Sequence, residues 1–515
     1  MPHSNHGPLI RAGGVFLLLL PWLNPFAPGP TSQVVQSLLS LSCLALMLML
    51  PLWQGGGAAL VRVVAPAWVL AALFSCVMAV LQYLGVSQAF APWVNVAGVG
   101  EAFANLRQRN QFATLTTVGL VSLLWWVQTA LPNVPSSQPR GRMLPTWQAA
   151  PILAAAALLG LGNAASSSRT GLMELLLLAL LLQVWQQWRR PLVWQVMLAA
   201  GVSYASATLL LPWLAGLGVG GAGILVRLQE QGPNCASRLT LWHNVLYLIA
   251  EKPWTGWGWG ELDYAHFITL YPGPRFCDML SNAHNLPLHL AVELGLPLAT
   301  LLCGGGLWVL WRAQPWRESN PARQLAWAVL ALLGLHSLLE YPLWYGPFQL
   351  AAGLSITLLW LTRSVSVPKP QSVESAAPLS VAPELWRLAL ATSLLLAALY
   401  AAWDYQRIRQ IYLPVAERAA PYRDNTLAKL QGSWLFGPQI NFAELTTTVL
   451  SPANASAVQP LAEKMLHFSP EPRVVEQLLD SLQLQGQDEA LQFYLARYQA
   501  AFAEPYARWV SRNGR

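Results

Sequence analysis

Charge is scarce in this chain. Only 10% of its 515 residues are Asp, Glu, Lys or Arg, where a soluble protein of this size carries roughly a quarter. That excludes a soluble globular enzyme for most of the length. Ten-residue segments of alternating hydrophobicity are missing, which excludes an outer-membrane barrel. No small-x-small cleavage site follows Arg11 and "GGVFLLLLPWL", so the first apolar run reads as a retained span rather than a removed signal peptide. There is no Asp-x-Asp to hold a metal-bound diphosphate. "PWTGWGWG" (253–260) lacks the Lys and Ser/Thr of a phosphate-binding loop. His284 and His289 do not have i, i+4 spacing; His336 and Glu340 do, but no third ligand accompanies them. No metal and no cofactor are expected. Cysteine is sparse too, at five residues. Cys43, Cys76 and Cys303 fall in apolar runs and read as buried apolar side chains. That leaves Cys235 and Cys277 as a possible disulfide in an oxidising compartment.

What the chain has is apolar length. Hydrophobic residues make up 55%, Trp alone numbers 25, and the mean hydropathy is +0.40. Runs of about 20 apolar residues, enough to cross a ~30 Å hydrocarbon core, recur at 12–27, 33–53, 63–84, 111–131, 148–164, 170–187, 192–215, 285–311, 323–339, 343–362 and 386–404. The expected fold is all-α and polytopic, with about 11 (10–12) transmembrane helices. Residues 86–110 are too broken for a crossing. Arginines and lysines at span ends set orientation. With the N-terminus in the cytoplasm, Arg62, Arg140, Arg142, Arg189, Arg190, Arg312, Arg317, Arg323, Arg363 and Lys369 fall on that side. The net charge of +7 is spread over such loops and needs no nucleic-acid partner. Residues 1–404 then form the membrane domain, with a large far-side loop at 216–284 and a Pro/Ser-rich cytoplasmic linker at 364–384. Residues 405–515 form a charged, helical far-side domain. Within it, 469–502 reads as two antiparallel helices turning near Gly486, similar to one tetratricopeptide-type hairpin.

Four polar islands interrupt the apolar background: "NLRQRNQFA" (105–113), "NAASSSRTG" (163–171), the far-side loop through "SNAHN" (281–285), and "HSLLEYPLWYGPF" (336–348). In this topology all four face the non-cytoplasmic side. Orientation does not require the far-side cations Arg107, Arg109, Arg169, Arg227, Arg238, Lys252 and Arg275. They meet lipid headgroups or form an anion site. The tryptophans of 253–260 read as an interfacial belt or as sugar-stacking faces, and its glycines allow close backbone approach. His284 is a satisfied interfacial histidine, a metal ligand or a base, and the ligand spacing speaks against the metal. A neutral imidazole can take a proton from an attacking hydroxyl, while guanidinium groups hold a departing pyrophosphate. That chemistry suits transfer from a lipid-linked activated sugar.

As a set, these motifs resemble a family. "SNAHNLPLHLAVELGLP" is similar to the His-Asn signature of the O-antigen ligase/polymerase superfamily, and "RLTLWHNVLYLIAEKPWTGWGWG" to the segment preceding it. "RQRNQFATL", "SSSRTG" and "LLEYPLWYGPF" look like the bacterial O-linked protein oligosaccharyltransferases, the pilin-glycosylation ligases. The resemblance implies a glycosyltransferase of the bacterial inner membrane with a periplasm-facing site. It would move a glycan in one inverting, metal-independent step from undecaprenyl pyrophosphate to Ser or Thr of a pilin-like or other periplasmic protein. It implies His284 as the catalytic histidine, with Tyr341 and Gln111 also in the catalytic set. Arg169 and Arg238 would bind pyrophosphate, and Asn282, Asn285 and Glu340 would support substrate binding. The alternatives are an O-antigen ligase using a lipid A-core acceptor, an O-antigen polymerase and, outside the class, a lipid-glycan transporter. A transporter predicts polar residues at mid-depth and internal repeats, which this sequence lacks.

Overall fold

The computed structural model describes residues 7–130, 146–218, 223–224, 234–363 and 382–512. Arg140, Arg142, Arg227, Lys369 and most of the 364–384 linker lie outside these. Among the described residues there is helix and no strand. Each of the eleven apolar runs falls on one helix: α1 (Gly7–Leu23), α2 (Ser32–Met49), α3 (Gly56–Tyr83), α4 (Arg109–Ala130), α5 (Thr146–Ala165), α6 (Arg169–Val184), α7 (Pro191–Leu214), then, after α8 (Arg238–Glu251) and α9 (Leu262–Ile268), α10 (Leu286–Ala313), α11 (Pro321–Ser337), α12 (Gly346–Leu361) and α13 (Ala382–Arg409). Among the described residues, four stretches are long and apolar enough to cross a bilayer: Gly56–Tyr83, Pro191–Leu214, Leu286–Arg317 and Glu384–Tyr412. The chain is a helical membrane protein. Residues 86–110 hold the short turn Ser87–Phe90 and, at their end, the first two residues of α4.

The chain forms two compact units. The first comprises residues 1–230, 313–337 and 342–400. Its centre is α3, buried along most of its length and packed against α1, α4, α5 and α12. Small residues let these helices approach, as membrane helices require in the absence of a hydrophobic drive between them. At Gly160 of α5 a Cβ would stand 2.1 Å from the carbonyl oxygen of Ala200 in α7, so no other residue fits that crossing.

The second unit comprises residues 231–312, 338–341 and 401–515. One of its cores joins α8 and α9 to α10 through Leu241, Val245, Leu248, Leu262 and Val292. The other is built by helices of the C-terminal segment, where α14 (Thr426–Leu430) precedes the five that form the core: α15 (Gly437–Thr447), α16 (Ala455–Leu466), α17 (Pro472–Leu484), α18 (Asp488–Ala501) and α19 (Ala503–Arg512). There Val475, Leu478, Leu482 and Leu491 close on Phe267 of α9. The turn between α17 and α18 is at Gly486, with φ +67°. Arg497 adds a bond from Nε to Ile268 O at 2.7 Å, so the C-terminal helices carry α9.

Cys235 and Cys277 form a disulfide with a Cα–Cα distance of 5.3 Å and a sequence separation of 42. Closing a loop of that length restricts the unfolded chain by about 4 kcal/mol in the chain-entropy limit. The expected outcome of Cys235→Ser is a lower thermal midpoint for the second unit, and reductant should lower the wild type to the same value. Equal midpoints for all three would contradict this.

Candidate functional site

The residues singled out around "SNAHN" meet in the second unit. Asn282 Oδ1 accepts the His284 backbone N–H at 2.9 Å, holding His284 at φ +50°, in the left-handed region that a non-glycine residue seldom occupies. Asn285 Oδ1 accepts from Leu288 N at 3.2 Å, capping the start of α10. Its Nδ2 donates to Leu338 O at 3.1 Å. The two asparagines therefore set the backbone around the imidazole and tie it to the turn at 338–341.

That turn delivers Glu340. Helix α11 stops at Ser337 and Pro342 follows, which bars the residue before it from continuing the helix. His336 and Glu340, spaced like a helical pair, are consequently not one. The Glu340 side chain is only 7% exposed. Its Oε2 lies 2.7 Å from His284 Nδ1, and its Oε1 accepts from Arg238 Nη2. A carboxylate can only accept, so Nδ1 carries the proton, and in the neutral tautomer that this selects Nε2 is the atom with the lone pair. The guanidinium offsets the buried negative charge and, having five N–H groups, retains donors beyond the one Glu340 takes. Arg238 sits at the first position of α8, whose N-cap Ser237 accepts from Thr240 N at 3.1 Å. Tyr341 stands edge-on to the imidazole, ring centroids 5.0 Å apart at 82°.

The loop 253–260 braces α10. This helix breaks at Gly295, φ +81°, and the loop backbone docks into the break. Trp257 N donates to Val292 O at 2.8 Å, Gly258 N to Glu293 O at 3.0 Å, and Leu296 N to Pro253 O at 2.8 Å. A Cβ on Gly256 would stand 2.3 Å from Glu293 O. The glycines are there for backbone contact. Trp257 packs and donates to Leu248 O at 3.0 Å, while Trp254 and Trp259 are exposed.

Gln111 and Arg169 belong to the first unit. Arg169 opens α6 and is exposed. The preceding turn places Ser167 at φ +53°. Ser168 caps α6 through Gly171 N at 3.0 Å and donates to Asn110 Oδ1 at 2.7 Å, joining the starts of α4 and α6. One turn deeper, the Thr114 hydroxyl donates to Glu174 Oε1 at 2.6 Å and lies in hydrogen-bond contact with His336 Nδ1 at 2.8 Å. Sequence reasoning did not anticipate this buried trio, whose members lie on three apolar runs. Gln111 is buried and lines a cavity beside Gln36 and Tyr345.

A second histidine in the loop segment is structural. His266 bridges Tyr271 Oη at 2.8 Å and Phe276 O at 3.1 Å. Burial, aided by the nearby Arg275 charge, holds it down to about 3. It is neutral in the fold, whereas the unfolded chain takes a proton near 6.5. Its contribution to stability is therefore full above about 6.5 and is lost as pH falls towards 3. Asp263, pushed up by burial to about 6, acts oppositely: the fold prefers its protonated form, so stability is lost from this group as pH rises from about 4 through 6. The expected result for His266→Gln is a thermal midpoint that falls less between pH 7 and pH 4 than the wild type's. Identical slopes would contradict it.

The chain matches three protein families: "O-Antigen ligase" over residues 154–303, "Protein glycosylation ligase" over 102–127, and "Virulence factor membrane-bound polymerase, C-terminal" over 324–513. It is 24% identical over 350 residues to a "General O-oligosaccharyltransferase" of Acinetobacter baylyi (strain ATCC 33305 / BD413 / ADP1), which covers 66% of this chain and 56% of that protein. The chain thus spans a little over half the length of the curated relative it matches. No solved structure matches.

Proposed function

We infer that this chain belongs to the O-antigen ligase/polymerase superfamily, on the side of its protein glycosylation ligases, and is an oligosaccharyltransferase of the bacterial inner membrane. Its donor is a glycan on undecaprenyl pyrophosphate. Its acceptor is a Ser or Thr hydroxyl of a periplasmic or pilin-like protein. The observation that carries the reading is the hydrogen-bonded set Arg238–Glu340–His284, which supplies an oriented base beside a cation.

In this reading the acceptor hydroxyl approaches His284 Nε2. The proton passes to Nε2 as the oxygen bonds to the anomeric carbon, and the bond from that carbon to the pyrophosphate oxygen breaks. The lipid pyrophosphate leaves with the electron pair, its charge met by Arg238. One displacement inverts the anomeric centre. Glu340 acts through His284 by fixing its tautomer, a role distinct from the substrate contact expected of it. Gln111 and Tyr341 contribute to substrate placement, and residues 405–515 present the acceptor.

A second reading, polymerisation of lipid-linked repeats, draws on the match of 324–513 to a membrane-bound polymerase family. The two separate in cells lacking other ligases of this class but supplied with a lipid-linked glycan and a pilin. Glycan on pilin Ser or Thr, read by intact mass, supports the protein ligase. Longer lipid-linked chains with unmodified pilin support the polymerase.

A further inference from the structure

The starts of α2, α4 and α12 meet at one end of the first unit and enclose a cavity of about 200 Å³, lined by Gln33, Gln36, Asn105, Arg107, Gln111 and Tyr345. At roughly 30 Å³ per water, that is room for about six, the bulk of a single sugar ring. Much of its wall is fixed. Asn105 Nδ2 donates to Leu23 O at 2.8 Å and Trp93 O at 3.0 Å, and its Oδ1 accepts from Asn95 N at 3.0 Å. Arg107 Nη2 donates to Pro25 O at 2.5 Å. Gly346 packs against α2 so closely that a Cβ would stand 2.6 Å from Gln36 O.

Against that wall, two amide atoms have no hydrogen-bond partner among the described residues. Gln36 Oε1, on a residue 9% exposed, is an acceptor without a donor, although its Nε2 reaches Asn24 O at 3.3 Å. Gln111 Nε2, on a residue 1% exposed, is a donor without an acceptor. Such groups are costly to bury unsatisfied in an apolar helix bundle. A ligand that both donates and accepts would satisfy them. Among the described residues no carboxylate lines the cavity, which argues against a cation.

We propose that this cavity is a carbohydrate subsite. It takes one neutral ring of the lipid-linked glycan, whose hydroxyl or acetamido groups pair with Gln36 Oε1 and Gln111 Nε2. This rests on the transferase reading, since it assigns part of the donor to that cavity.

The test is binding by the full-length protein in detergent of two probes, undecaprenyl pyrophosphate bearing the native glycan and bare undecaprenyl pyrophosphate. The wild type should prefer the glycosylated lipid. Gln36→Met and Gln111→Met, which keep side-chain length, should each cut that preference about tenfold and leave affinity for the bare lipid unchanged. Two variants on different helices guard against one of them folding badly, and a thermal midpoint is measured for both. Full preference in the variants, with glycan transfer intact in the wild type, overturns the subsite alone. An equal loss for both lipids also overturns it. A wild type that neither prefers the glycosylated lipid nor transfers glycan overturns the transferase reading and the subsite together.

Discussion

His284→Ala lowers glycan transfer by about 10²–10⁴, the usual contribution of a positioned general base. The loss falls on kcat, because in the proposed mechanism the lipid pyrophosphate is assigned to the Arg238 guanidinium rather than to the imidazole. The protein should still insert and bind donor. His284 is partly exposed, and its backbone is held through Asn282 rather than through the ring, so removing the imidazole opens no core cavity. The check is kcat and KM in a transfer assay, beside donor binding and a thermal midpoint. Near-normal kcat in a folded variant removes His284 as the base.

The second large effect is expected at Glu340. Glu340→Gln keeps the shape of the side chain but replaces an all-acceptor group with one carrying two N–H donors. Gln cannot accept from both His284 Nδ1 and Arg238 with the strength of a charged carboxylate. If its NH₂ faces the ring, Nδ1 must become the acceptor and the proton moves to Nε2, the atom assigned to take it from the acceptor hydroxyl. The expected loss in kcat is again about 10²–10⁴, in line with carboxylate-to-amide changes behind other catalytic histidines. Glu340→Asp, which keeps the charge but shortens the reach, should recover part of it. A role confined to stability would instead appear as a lowered thermal midpoint with kcat per folded molecule intact.

The apolar runs made the helices legible, because run length alone decides what a bilayer accepts. Each of the eleven segments falls on a helix, although among the described residues only four stretches meet the length and hydropathy needed to cross unaided. The loop 86–110 was opaque for a physical reason. It is organised by Gln82, a single amide inside an apolar run. Its Oε1 accepts from Phe103 N and Ala104 N, and its Nε2 donates to Asn95 O and Ala104 O. Nothing in hydropathy marks that side chain as the anchor.

The candidate site was legible as residue types but not as pairings. His284 and Arg238 stood out as a base and a cation in an apolar chain. Glu340 read as a neighbour of His336, four residues before it. Its partners instead lie 56 and 102 residues upstream, reached because α11 ends at Ser337. The glycines of 253–260 signalled close approach, but what they approach, the broken backbone of α10 at Gly295, is set by tertiary packing. Thr114, Glu174 and His336 were hidden because each is isolated on its own helix.

Transfer from a lipid-linked glycan to a protein hydroxyl is proposed to run through the His284–Glu340 pair. Its most direct test is reconstitution of purified protein with undecaprenyl-pyrophosphate glycan and a pilin acceptor, with EDTA present. Mass spectrometry then reads the acceptor for wild type and His284→Ala side by side. Glycan on Ser or Thr is expected with the wild type, and about 10²–10⁴ less of it with the variant. An unmodified pilin with glycan lipid moved between leaflets, or equal product from both proteins, would contradict it.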